Sequence, residues 1–251
     1  MNLIFSYSIH IGDYKGGRFT KDDKTDKVLN LYKIAMKRAK NFGHGIKFYG
    51  CNYSLDFLKG YYEDSVNVEN IKFDITDDLK MYIHSKEKAG SVTIDGDIIL
   101  EKKLKIDESA DIVFERKEEF EPDSIWQIES TFKILDIFKR HKVDSFIHNL
   151  NFEPEYLFNV GILRFKTEKL KEYFLKSYYE LKDYYLKNIE PVEKLIPQGL
   201  IVSTIICQYY FTSICEENNI NYSFTSGYMG NHYHHYFGHL KFNPDILGHL
   251  I

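Results

Sequence analysis

With 251 residues, 43% of them hydrophobic and 16% aromatic, the chain carries enough apolar side chains for one sizeable core, and a single domain is the simplest expectation. A formal net charge of −4 argues against a nucleic-acid binder, which would show a basic surplus. Cys51, Cys207 and Cys215 have no CxxC spacing, which argues against a disulfide scaffold or zinc ribbon and for a reducing, cytoplasmic setting.

"LIFSYSI" (Leu3 to Ile9) reads as a first core strand. The N-terminus lacks the basic and apolar regions of a signal peptide. "IGDYKGGRFTKDDKTD" is polar and glycine-bearing, hence a loop. In "DKVLNLYKIAMKRAKNF", Val28, Leu29, Tyr32, Ile34, Ala35 and Ala39 recur at helical spacing. "IKFYGC" is a second strand, and "SLDFLKGYY" a short helix with Ser54 as N-cap. "VNVENIKF" is a third strand, and "TDDLKMYIHSKEKAG" a helix closed by Gly90. The fourth strand, "SVTI", runs into Asp95-Gly96-Asp97. Alternating strands and helices predict an α/β fold, with a mostly parallel sheet flanked by helices and ligands beyond the carboxyl ends of its strands.

The second half is less regular. "ADIVFER" reads as a strand and "DSIWQIESTFKILDIFKRHKV" as an amphipathic helix. "YLFNVGILRF" is an apolar strand carrying Asn159 and Gly161. "TEKLKEYFLKSYYELKDYYLKNI" is a long helix with Thr167 as N-cap. "PQGLIVSTIICQYYFTSICEENN" reads as another, opened near Pro197. Its most apolar run, "GLIVSTII", is too short to span a bilayer. The tail, "GYMGNHYHHYFGHLKFNPDILGHL", is dense in His, Tyr and Gly.

Two carboxylates at the end of a buried strand call for a cation or a hydrogen-bond network. Asp95 and Asp97 suit a hard divalent ion, Mn²⁺ or Mg²⁺, of the kind that also holds substrate phosphates. Gly96 between them would let backbone approach a ligand. A solvated turn is the plain alternative. In the tail, His235-x-x-Gly238-x-x-Lys241 offers an imidazole to complete the ion's shell, exposed backbone N–H groups, and a point charge for phosphate. His234 and His239 flank that histidine and could be mistaken for it. His10, His44, His84, His141, His148, His232 and His249 read as packed or solvated. A buried Asn159 must satisfy its amide on backbone or ligand, and Gly161 permits a close approach. Gln198, at the start of an apolar helix, could face a cleft.

In this order, a strand ending in D-x-D, an F-N-x-G strand, a helix opening near a glutamine, and H-x-x-G-x-x-K near the C-terminus resemble the glycogenin-like nucleotide-sugar glycosyltransferases (glycosyltransferase family eight) of the GT-A fold. The resemblance runs from "LIFSYSI" to Lys241. It implies one GT-A-like domain over 1–251, with a nucleotide-binding half (1–105) and an acceptor half with the metal- and phosphate-binding tail (106–251). It implies Mn²⁺ or Mg²⁺ on Asp95, Asp97 and His235, with Asp95 also near the donor ribose. Gly238 and Lys241 would contact the diphosphate, and Asn159 and Gly161 the sugar and acceptor. Gln198 would sit near the anomeric carbon, Ser6 and Tyr7 beside the nucleoside, and Lys80 in place of a basic donor-binding residue. The implied donor is a nucleoside-diphosphate sugar, UDP-sugar favoured, and the implied acceptor a glycan or other hydroxyl. Transfer would be metal-dependent and retaining, with Asp97 and Gln198 in the catalytic centre.

The chain departs from the family pattern where Gly199 follows Gln198 in place of aspartate, where Phe242 and Asn243 follow Lys241 in place of proline and tryptophan, and in the loop after the first strand. Gly199 favours an alternative, a catalytically weak nucleotide-sugar or glycan-binding protein on the same scaffold. An aspartyl phosphatase or phosphotransferase is disfavoured: that class wants D-x-D-x-[TV] after its first strand, and "DGDII" follows the fourth.

Overall fold

A computed structural model describes residues 1–7, 23–75, 77–119, 156–188, 205–229 and 232–236. The helix expected over 123–143, the loop after the first strand, Gln198, Gly238 and Lys241 lie outside these.

The first strand, β1 (Asn2–Tyr7), lies near the centre of a seven-stranded sheet. Its side chains alternate between faces, as the strand period requires. Leu3 and Phe5 pack with Val28, Leu29, Ala35 and Ala39 of helix α1 (Asp23–Asn41). Ile4 points the other way, toward Leu79 and Ile83 of helix α3 (Asp78–Lys86). A strand covered on both faces must be apolar throughout, which is why "LIFSY" shows no polar alternation.

Strands β2 (Gly45–Gly50) and β3 (Asp64–Asn67) extend the sheet in parallel from β1, with helix α2 (Asn52–Phe57) between them. On the other side of β1 lies β4 (Val92–Ile94), also parallel. Next come β7 (Tyr156–Phe165), antiparallel to β4, and β6 (Ile112–Glu119), antiparallel to β7. β8 (Tyr222–Phe224) closes the edge in parallel to β6. The sheet is therefore mixed but mostly parallel, in the order β3-β2-β1-β4-β7-β6-β8. A separate antiparallel ribbon pairs β5 (Ile98–Leu100) with β9 (Tyr233–His235).

A second core lies under β6 and β7. Phe158, Leu163 and Phe165 pack there against Phe174, Tyr178 and Leu181 of helix α4 (Glu168–Asn188). Ile205, Ile206 and Cys207 of a π-helical turn (Ile205–Tyr210), and Phe211 and Ile214 of α5 (Phe211–Glu217), complete it. A short helix, α6 (Thr225–Met229), leads toward β9. Thr167 caps α4 as expected, its Oγ1 accepting the Leu170 N–H at 3.3 Å.

Three local expectations change. Cys51, not Ser54, stands at the N-cap of α2. Ser54 is inside the helix, and its hydroxyl donates back to the Cys51 carbonyl at 3.0 Å. The third strand is shorter and earlier than "VNVENIKF", because only Asp64–Asn67 keep register with β2. α3 ends at Lys86, and Gly90 serves the turn beyond it at φ +88°, a conformation suited to glycine.

Candidate metal centre

The Asp95–Asp97 turn lies where β4 leaves the sheet, beyond the carboxyl ends of the parallel strands. Two observations explain its position. The Asp95 N–H donates to the Gly161 carbonyl of β7 at 2.7 Å, and the Ile98 N–H donates back to the Asp95 carbonyl at 3.0 Å. The chain therefore turns sharply while still tied to the sheet, then enters the ribbon as β5.

β5 brings in the histidine. Ile98 pairs with His235, and the Tyr236 N–H donates to the Asp97 carbonyl at 2.9 Å. This register puts His235 Nε2 3.3 Å from Asp97 Oδ1. One ligand atom from each of Asp95, Asp97 and His235 lies within 4.8 Å of the others. Two carboxylates and an imidazole at that separation fit the donor set of a divalent ion. His234 faces the opposite side, exposed, with Nε2 2.8 Å from Glu101 Oε1. It is thereby separated from the Asp pair by strand alternation alone.

Lys80 reaches the site from α3. Its ammonium donates to Asp95 Oδ1 and to the Val160 carbonyl, both at 2.8 Å. Burial opposes its charge, but Asp95 first and Asp77 next outweigh that and hold it above the ordinary lysine value. For Asp95, burial raises the carboxyl, the Lys80 ammonium pulls it down, and the Asp97 charge pushes it up again, with a net rise.

Sequence reasoning missed Glu115, on β6. Its side chain is fully buried, and its carboxylate oxygens lie 2.9 and 3.0 Å from His235 Nδ1. Burial pulls the imidazole down, but Glu115 and Asp97 outweigh it and push His235 up to about 10. A divalent ion would compete with that proton for Nε2. The one available signal was a lone glutamate ending the apolar run "IVF".

The same strand pair carries a bulge. Phe114 pairs with Leu163, but Arg116 pairs with Asn159. Val160, Gly161 and Ile162 therefore stand opposite Glu115 alone. Bulges of this kind re-aim side chains. Here the extra backbone turns the Val160 carbonyl to Lys80 and the Gly161 carbonyl to Asp95. A Cβ on Gly161 would lie 2.2 Å from Glu115 Oε2 and 3.0 Å from His235 Cε1. The close approach expected at Gly161 is thus made by the Glu115–His235 pair. Asn159 accepts the Gly161 N–H at 2.7 Å and donates to Glu118 at 2.6 Å.

Gly96 behaves similarly. The space left by its missing Cβ is filled by the Tyr32 ring, not left open for a ligand. Tyr32 also links the turn to the end of β1. Its hydroxyl donates to the Ser6 carbonyl at 2.9 Å, and its ring meets Tyr7 edge-on at 5.5 Å. Ser6 and Tyr7 therefore border the same turn. His44 and His84 are buried within the fold.

Among the described residues, no helix is long and apolar enough to cross a membrane. No protein-family model matches the chain, and no curated protein matches it. Solved structures similar to it include the galactosyltransferase LgtC in complex with donor and acceptor sugar analogues, at 11% identity over 100% of this chain and 95% of that one, with a TM-score of 0.48. Another is an active-site mutant of LgtC, at 12% identity over 83% of this chain and 70% of that one, with a TM-score of 0.41. At those values neither neighbour assigns this chain a family or an activity.

Proposed function

We propose that the protein is a metal-dependent glycosyltransferase that moves a sugar from a nucleoside-diphosphate sugar, UDP-sugar favoured, to an acceptor hydroxyl. One observation carries this reading: Asp95, Asp97 and His235, singled out from two distant motifs, lie around one point at the end of a parallel strand. That is where an α/β sheet binds its ligands. The family-eight resemblance of the motif order supplies the donor class and the retaining outcome.

Asp95, Asp97 and His235 would hold Mn²⁺ or Mg²⁺. When bound, the ion would supply Lewis-acid neutralisation of the charge that develops on the leaving diphosphate. Lys80 balances Asp95, so the pair of aspartates is not left as two uncompensated charges. Ser6 and Tyr7 would border the nucleoside, and Asn159 the sugar and acceptor, while Gly161 would serve by leaving room for Glu115 and His235. Gly238 and Lys241 would bind the diphosphate, and Gln198 would face the anomeric carbon. No carboxylate is assigned as general base, because the leaving phosphate can accept the acceptor's proton.

The test is donor turnover. Hydrolysis or transfer of a UDP-sugar should require Mn²⁺ or Mg²⁺, and Asp97→Ala or His235→Ala should abolish it. Full activity in EDTA would overturn the scheme. A thermal-shift screen of UDP-, GDP-, CMP- and dTDP-sugars, with and without Mn²⁺, identifies the donor. The departure at Gly199 favours the binding-protein reading, which would give the thermal shift without turnover.

A further inference from the structure

Glu115 has no place in the motifs, yet its carboxylate is the most deeply buried acidic group beside the proposed metal ligands. A buried carboxylate needs compensation. Its oxygens lie 2.9 and 3.0 Å from His235 Nδ1, which hydrogen-bonds Oε1, and the Tyr233 hydroxyl also bonds this carboxylate. Arg116 lies farther, at 3.4 Å, and makes its shorter contact, 2.8 Å, to Glu118. A carboxylate only accepts hydrogen bonds, so Nδ1 must carry the proton in this pairing. Nε2 faces a second carboxylate, Asp97 Oδ1, at 3.3 Å, which calls for a proton in turn; with Nδ1–H kept by Glu115, Nε2 is the nitrogen left to exchange its proton for a cation. The bulge at Gly161 is what makes room, since any side chain there would strike both partners.

We propose that Glu115 is a positioning residue: it fixes the Nδ1–H tautomer and the ring orientation of His235, and so makes Nε2 a donor to a divalent cation. The inference rests on the metal-centre reading above. A carboxylate behind a ligating imidazole also raises its basicity, and losing such a partner commonly weakens metal binding about 10- to 100-fold.

Two measurements on the full chain test it. With ¹⁵N-labelled histidine and saturating Mg²⁺, the wild-type His235 signal should show a protonated Nδ1 and an unprotonated Nε2; the reverse assignment overturns the proposal. Mn²⁺ affinity, read by electron paramagnetic resonance, should fall about 10-fold or more in Glu115→Gln. It should not fall further when Glu115→Gln is added to His235→Ala. A purely structural role would weaken both backgrounds alike, and that result also overturns it. Unchanged Mn²⁺ affinity in Glu115→Gln removes the role of Glu115 but leaves the metal centre standing. A wild-type protein that binds no Mn²⁺ removes both. Should Glu115→Gln fail to fold, the nitrogen spectrum of the wild type decides alone.

Discussion

The three atoms nearest to a Cβ built on Gly96 all belong to the Tyr32 ring, at 2.1 to 2.3 Å. That ring cannot easily retreat. Its hydroxyl is tied to the Ser6 carbonyl, and it packs edge-on against Tyr7 and Phe48. A methyl group at position 96 must therefore displace either the ring or the turn that carries Asp95 and Asp97. Overpacking of this kind typically destabilises by about 1–3 kcal/mol. Gly96→Ala should lower the urea midpoint accordingly. Adding Tyr32→Ala should then cost less in the Gly96→Ala background than in the wild type, because there it also removes the clash. Strict additivity in that cycle would mean that the ring does not sit over the glycine. The sequence could suggest that Gly96 mattered, but not why: a glycine between two aspartates looks the same whether a ligand or an aromatic ring fills the missing side chain.

At the scale of elements, the three-residue strand β9 decides which histidine meets the aspartates. Period-two alternation sends His235 toward Asp97 and His234 toward Glu101. His234→Ala should remove only an exposed contact and leave Mn²⁺ affinity unchanged, whereas His235→Ala should greatly weaken it. Isothermal titration with Mn²⁺ separates the two; equal losses would mean that the ribbon register differs. A second anchor joins α3 to α4. Asp78, buried at the first turn of α3, accepts the Tyr178 hydroxyl at 2.7 Å and the Lys182 ammonium at 3.1 Å. It also accepts the Ile75 N–H at 3.1 Å. Asp78→Ala leaves the part-buried Lys182 only Asp74, at 3.3 Å, and strips the buried Tyr178 hydroxyl of its acceptor, and should lower unfolding free energy by about 1–3 kcal/mol in urea titrations. The strand-helix alternation of the first half was legible in the sequence because each element buries its own periodic face. The bulge on β7 and the pairing of β5 with β9 were not. Both depend on contacts between residues far apart in sequence, such as His235 and Glu115, separated by 120 positions. No local pattern records such a contact. Asp95, Asp97 and His235 could be named because their residue types carry chemistry. Glu115 could not, because its neighbours "IVF" read only as strand.

The stability of the whole molecule should carry the signature of one histidine outside the metal centre. His84 on α3 is buried against Phe165, and its Nε2 lies 3.0 Å from Thr93 Oγ1. The Thr93 hydroxyl itself donates to the Leu163 carbonyl at 3.3 Å, so it accepts the Nε2 proton from His84. Burial first, and then the Lys80 and Lys171 charges, push the imidazole down to about 3. In the unfolded chain it would titrate near 6.5. The unfolded state therefore binds more protons than the folded state between those two values. Stability from His84 is complete above about pH 6.5 and is lost as pH falls toward 3. Between pH 7 and pH 5 the loss is about 2 kcal/mol. Carboxylates contribute to the same acid limb, so the informative quantity is a difference. His84→Gln keeps a donor for Thr93 but cannot acquire a proton. It should lower stability at pH 7 yet flatten the slope, so that its unfolding free energy converges on that of the wild type near pH 5. Parallel urea-derived curves for the two proteins across pH 5 to 7 would show that His84 titrates alike in the folded and unfolded states, and that α3 does not hold it neutral against β4.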